Sequence, residues 1–120
     1  MKFLLVFIGG GFGSVLRYAI GRFMTNSNNG IPYATLLVNI IGSLLIGMIL
    51  GLSLKNSFFS EQQTLLLATG FCGGFTTFSA FAFENSIFIK NGDYFNFALY
   101  TILSIILAVI AVFIGLFLVK

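Results

Sequence analysis

An all-α integral membrane fold of four spanning helices, the third of them broken near its middle, is what this sequence predicts. Three observations carry that expectation. The 120 residues are 58% hydrophobic and only 8% charged, with a mean hydropathy of +1.08. A soluble domain carries about 25% charged residues, so this chain has too few to cover a water-facing surface. Four apolar stretches, about 3–23, 33–54, 62–89 and 95–119, each reach the roughly 20 residues needed to cross ~30 Å of hydrocarbon. The stretch Gly70-Phe71-Cys72-Gly73-Gly74-Phe75-Thr76-Thr77-Phe78-Ser79-Ala80-Phe81 then places glycines and hydroxyl residues in the middle of the third span.

The first span opens with Lys2 and an apolar run, as a signal peptide would. Gly9 to Ser14 nevertheless leads straight on to Arg17 and Tyr18, with no apolar block ending at a small-residue cleavage site, so it reads as a retained span. Gly9 with Gly13, and Gly10 with Ser14, sit four apart, the spacing of a face that lets another helix backbone approach closely. Without a preceding strand or a following Lys, these glycines are not a phosphate loop. Thr25 to Pro32 stops this helix and presets the next. In the second span Thr35, Asn39, Gly42, Ser43, Gly47 and Gly51 form a small and polar stripe. Lys55-Asn56-Ser57 ends it, Ser60-Glu61-Gln62-Gln63 opens the third span, and Asn91-Gly92-Asp93 separates the third from the fourth. Tyr100 and Ser104 lie four apart in the fourth. Residues 1–120 thus read as one transmembrane domain surrounded by lipid, with the break near 73–77.

Composition excludes several function classes. The acids are Glu61, Glu84 and Asp93, and there is no histidine, so neither a metal cluster nor a nucleophile–base pair can be assembled and an enzyme is not expected. Cys72 is the only cysteine, which rules out an intrachain disulfide and reads as a small buried thiol. A net charge of +3 is too thin and scattered for a nucleic-acid footprint. Both termini fall on one side of four spans. That side carries Lys2, Lys55 and Lys120; the other carries Arg22 and Lys90, with Arg17 if it snorkels that way. So near a tie gives the positive-inside rule no orientation to choose. It is the balance that a chain inserting both ways needs, in which an antiparallel homodimer builds a pathway from two inverted copies. The competing reading is that six charges are too few to be informative.

Inside a bilayer a run such as Gly73-Gly74…Thr76-Thr77 invites the backbone out of helical geometry. Freed carbonyls and amides cost several kcal/mol each in hydrocarbon unless protein, water or an ion satisfies them. Such a break is tolerated only where it is buried in protein or lines a polar path, and ions are the natural occupants. Asn39 reads equally as interhelical glue or as part of that path. Arg17 is either an interfacial anchor or a source of positive potential at a vestibule mouth. Glu84, two turns past the break, is either a buried proton carrier or a helix-end carboxylate. Phe78 and Phe81 share a face of the half-helix that follows the break. Each of the sixteen Phe is, by composition, lipid contact first, but rings beside the break would turn positive edges toward a path. With Ser79, Thr77, Asn39 and a half-helix N-terminus near Thr77, they describe a site for a small, hard anion held by donors. A Lys or Arg at that depth would bind the ion too well to release it.

The third-span stretch Gly73 to Phe81, with Asn39 in the second span and Gly13-Ser14-Val15-Leu16-Arg17-Tyr18 in the first, resembles the Fluc (CrcB-type) fluoride channel family over the whole chain. The resemblance implies a passive fluoride channel that exports fluoride from the cytoplasm. It implies an antiparallel dual-topology homodimer with two pores, in the inner (plasma) membrane of a bacterium. Phe78 and Phe81 would be the aromatic box that meets fluoride edge-on, and Asn39 the pore-lining amide donor. Tyr100 and Ser104 would be polar fourth-span positions along the pore, Thr77 and Ser79 hydroxyls of the broken helix, Arg17 a vestibule residue, and Glu84 a carboxylate near the pore. The carbonyls of Gly73 and Thr76 from both subunits would enclose a structural sodium ion. Freed carbonyls suit a hard cation on physical grounds as well, and a dimer axis through the break would supply the four oxygens that one chain cannot converge. Ala80 departs from the family, which often has a second hydroxyl residue there. The rival reading is a proton-coupled small dual-topology exporter, which needs a membrane-embedded carboxylate; only Glu84 could serve.

Overall fold

The computed structural model describes residues 1–24, 30–56 and 59–120. The turn signals at 25–29 and 57 lie outside the described residues. Helix α1 runs Lys2–Phe23 and α2 Tyr33–Asn56. The third span is segmented: α3 (Glu61–Thr64), a π-helical stretch (Leu65–Cys72), α4 (Gly73–Phe75) and α5 (Phe78–Lys90). Helix α6 runs Tyr94–Leu118. Among the described residues four stretches are long and apolar enough to cross a membrane, the third being Glu61–Lys90 with its break included. The molecule measures 48 Å along its longest axis, enough for the hydrocarbon core of about 30 Å and the headgroup layers beside it.

Local chemistry sets the ends of these elements. Ser60 starts the third span with a reciprocal cap: the Gln63 amide donates to Ser60 Oγ at 3.1 Å, and the Ser60 amide donates to Gln63 Oε1 at 3.0 Å. Lys2 pairs with Glu61 at 2.7 Å and so ties the first and third spans together at one membrane edge. At the opposite edge Gly92, with φ of 74°, takes the left-handed step that reverses the chain. Asp93 then caps α6 by accepting from the Asn96 amide at 3.2 Å.

Lipid tails offer helices no hydrophobic drive to associate, so the spans hold together where small residues allow backbone contact. The broadest pairing is α2 with α6, followed by α1 against the π-helical stretch. A Cβ on Gly115 would strike the Leu44 carbonyl and crowd the Met48 amide at 2.9 Å; one on Gly47 would strike the Val112 carbonyl. Gly115→Ala is therefore expected to lower the unfolding temperature in detergent and to cost about 1–3 kcal/mol of packing. Gly21→Ala, which meets nothing within 4 Å among the described residues, should leave it unchanged. On α1 the buried pair Gly9 and Gly13 lies against the third span, Gly9 over Leu66 O and Phe71 N and Gly13 over Phe71 O and Phe75 N. The four-residue glycine spacing of the first span is thus a seam laid along the segment that leads into the break.

Candidate functional site at the broken helix

The backbone leaves helical geometry at Thr76 (φ −82°, ψ 158°) and Thr77 (φ −150°, ψ 116°), both extended. Such a break strands polar groups, and side chains from two other spans collect several of them. The Thr77 amide donates to Asn39 Oδ1 at 2.8 Å, and Asn39 Nδ2 donates to the Thr77 carbonyl at 3.2 Å. One amide side chain on α2 thereby holds both polar groups of the extended residue. The Gly74 carbonyl accepts from Arg17 Nε at 3.2 Å and lies 3.4 Å from Ser14 Oγ. Thr77 caps α5, its hydroxyl accepting from the Ala80 amide at 3.1 Å and lying 3.3 Å from Ser79 Oγ. Helix α5 thus begins at the residue where a half-helix N-terminus was expected.

Two further carbonyls lose their helical partners. In a continuous helix the Thr77 amide would close on Gly73 O and the Ala80 amide on Thr76 O. The first goes to Asn39 and the second to the Thr77 hydroxyl. Gly73 and Thr76 both line an open groove of about 370 Å³ beside the break, together with Asn39, Thr77, Phe78, Phe81 and Ser104. Among the described residues no cluster of three His, Cys, Asp or Glu could hold a metal, so a cation here would rest on backbone oxygens. Oxygen-only donors fit a hard cation such as sodium, although two carbonyls from one chain make an incomplete shell.

The aromatic wall of the groove has one loose and one fixed ring. Phe78 is 78% exposed, whereas Phe81 is 9% exposed. Their centroids lie 5.6 Å apart with planes tilted by 45°. Phe81 is backed by Tyr100, 5.2 Å away, and Tyr100 is met edge-on by Phe88. Tyr100 is wholly buried behind Phe81 and is not part of the groove lining. Its hydroxyl donates to Glu84 Oε1 at 2.7 Å, and Thr35 donates to Glu84 Oε2 at 2.6 Å. Ser104 Oγ is buried without a hydrogen-bond partner among the described residues and belongs to a residue lining the groove.

The fold therefore gathers Asn39, Gly73, Thr76, Thr77, Phe78, Phe81 and Ser104 in one groove. Ser79 stands exposed beside Thr77. Arg17 lines a second cleft of about 300 Å³ with Arg22, Thr35, Thr77 and Ala80, so Thr77 borders both spaces. Of the two readings of Arg17, the structure gives a part to each: one nitrogen clamps Gly74 O, and the side chain borders a cleft with a second cation. The cluster of Thr35, Glu84 and Tyr100 was not assembled by sequence reasoning. Its one signal was the four-residue spacing of Thr35 and Asn39, which puts both on the α2 face that meets α5.

A groove of donors and ring edges, opened by a helix break inside four membrane-length spans, defines a multi-pass membrane protein of the transport class. Residues 4–116 match the family model described as CrcB-like protein, Camphor Resistance (CrcB), and the chain belongs to that family. Curated relatives carry the name fluoride-specific ion channel FluC. The protein of Gloeothece citriformis is 50% identical over 121 residues, covering 100% of this chain and 98% of the relative. That of Azobacteroides pseudotrichonymphae is 43% identical over 115 residues, covering 95% and 92%. That of Erythrobacter litoralis is 43% identical over 123 residues, covering 98% and 90%.

Proposed function

We propose that this chain is a fluoride-selective ion channel that lets fluoride leave the cytoplasm passively through the bacterial inner membrane. The observation that carries the reading is the chemistry of the groove, which offers hydroxyl and amide donors and aromatic rings but is lined by no Lys or Arg. A small anion gives up its water only for hydrogen bonds of similar quality, and it must still be able to leave. Asn39 retains a second N–H beyond the one given to Thr77. Ser104 has an uncommitted hydroxyl, and Phe81 is fixed in place by Tyr100. Along such a groove fluoride would pass from donor to donor and along ring edges, while the cleft bordered by Arg17 and Arg22 would concentrate anions at its approach. The names of the relatives agree with this ion.

The working unit is an antiparallel dual-topology homodimer with two pores, embedded in lipid. Support comes from the balanced charges of the sequence and from the groove itself, which in one chain stands open with Phe78 exposed. A second, inverted copy would cover it. Gly73 and Thr76 of the two copies would hold a structural sodium ion, which would offset the carbonyl dipoles freed by the break. The alternative of a proton-coupled exporter has one observation in its favour, the membrane-embedded carboxylate of Glu84 with its two hydroxyl donors.

Efflux from liposomes, read with fluoride and chloride electrodes, tests these readings. Rapid fluoride loss with little chloride loss and no response to a pH gradient supports the channel; flux that requires the gradient supports the exporter. Phe81→Ile removes the ring while keeping an apolar side chain, so fluoride efflux should fall sharply with the dimer intact on size exclusion. Efflux at the wild-type rate would remove Phe81 from the pathway.

A further inference from the structure

We propose that the α2–α6 end of the chain holds an anionic phospholipid, with its headgroup at Lys55 and Lys120 and its two tails in the apolar furrows that meet there. The proposal is independent of which ion is conducted. One furrow runs along the outer face of α6, past Ile110, Phe113, Ile114 and Phe117 to Lys120. These apolar positions repeat at helical spacing on one face, and Phe113 and Phe117 are 66% and 73% exposed. The other furrow lies between α2 and α6, bordered by Gly51, Leu54 and Val119, and carries Lys55 and Lys120 at its end. Leu116 and Lys120 border both furrows.

Length and charge select the occupant. From Ile110 to Lys120 a helix rises about 15 Å, half the thickness of the hydrocarbon core and so the depth of one leaflet. An acyl chain fits that reach along the α6 furrow, and the shorter furrow beside the same cationic head takes the upper part of a second tail. Lys55 gives one of its donors to the Val119 carbonyl at 3.2 Å, which keeps its ammonium beside the end of α6. Neither Lys55 nor Lys120 has a carboxylate partner from Asp or Glu among the described residues. Even a terminal carboxylate on Lys120 would leave the pair net positive by one charge. The molecule supplies its own control. A third apolar furrow, past Phe3, Val6, Phe7 and Leu65, reaches the same membrane edge at Lys2 and Glu61. There the lysine already holds a carboxylate at 2.7 Å, so its ammonium is not free for a headgroup as those of Lys55 and Lys120 are, and only a terminal ammonium on Met1 could draw an anionic lipid to that furrow.

The test is native mass spectrometry of the purified full chain, released from detergent with phosphatidylglycerol and phosphatidylcholine of identical acyl chains at equal amounts. Wild type should retain phosphatidylglycerol about thirtyfold over phosphatidylcholine, the increment expected of two lysines facing an anionic headgroup. The double variant Lys55→Gln/Lys120→Gln should lose the preference, while Lys2→Gln keeps it. Fluoride efflux of the double variant in phosphatidylcholine vesicles should match wild type, showing that the fold survives. Equal retention of the two lipids by wild type would overturn the proposal, as would a preference that survives the double variant or one that disappears equally with Lys2→Gln. A double variant that splits the oligomer in phosphatidylcholine would also overturn it, because the furrows would then be covered by a second copy of the chain.

Discussion

Asn39→Asp is expected to lower fluoride efflux at least about a hundredfold in protein that still elutes as a folded species. A unit charge about 5 Å from a passing anion costs about 3 kcal/mol at an effective dielectric constant of 20, which is the basis of that factor. The substitution is nearly isosteric, and its geometry limits the structural damage. The introduced carboxylate would keep the acceptor that the Thr77 amide uses at 2.8 Å, and would lose only the donor to the Thr77 carbonyl. A role confined to fastening the break would therefore appear as a modest drop in thermal stability with the efflux of folded protein preserved. A role in the path appears as lost efflux at near-normal stability. Liposome efflux normalised to folded protein, measured beside a thermal melt, separates the two. Normal conduction would make Asn39 a fastener alone.

The pair of hydrogen bonds between Asn39 and Thr77 also marks how far the sequence could be read. Four spans were legible because apolar runs of spanning length leave no other fold, and the break was legible because Gly73-Gly74 and Thr76-Thr77 weaken a helix where lipid forbids loose backbone. The groove residues were reachable through a resemblance, since their chemistry is carried by a contiguous stretch plus one amide on the second span and one hydroxyl on the fourth. What side chains do with their second hydrogen bond was not legible. Arg17 borders its cleft but also clamps the Gly74 carbonyl at 3.2 Å. Tyr100, expected along the pore, gives its hydroxyl to Glu84 behind Phe81. Both depend on distances between spans that no local pattern encodes. The π-helical stretch Leu65–Cys72 was equally invisible. A wider turn adds about one residue per cycle without changing composition, and it shows in the backbone, as where the Gly73 amide reaches back to Ala68 O.

The adjacent glycines Gly73 and Gly74 turn the proposed dimer into a direct comparison. A side chain on Gly74 would drive into the backbone of α1, with Gly10 Cα only 2.9 Å from its first carbon and the Gly10 carbonyl closer still. Gly74→Val should therefore destabilise the chain itself by about 3 kcal/mol or more, since backbone cannot repack around an added side chain. A side chain on Gly73 meets nothing nearer than Ala68 O at 3.9 Å, and Gly73 is exposed on the open groove. Gly73→Val should leave the single chain as stable as wild type. Where a second copy closes the groove at this point, the same valine fills the approach between the two broken helices. The expected result is a folded protein that runs as a monomer on size exclusion and conducts no fluoride. Gly74→Val should instead fail at the level of folding. If Gly73→Val gave a normal dimer with normal efflux, the two copies would not meet at the break, and neither the shared cation site nor an inverted pair built around it would survive.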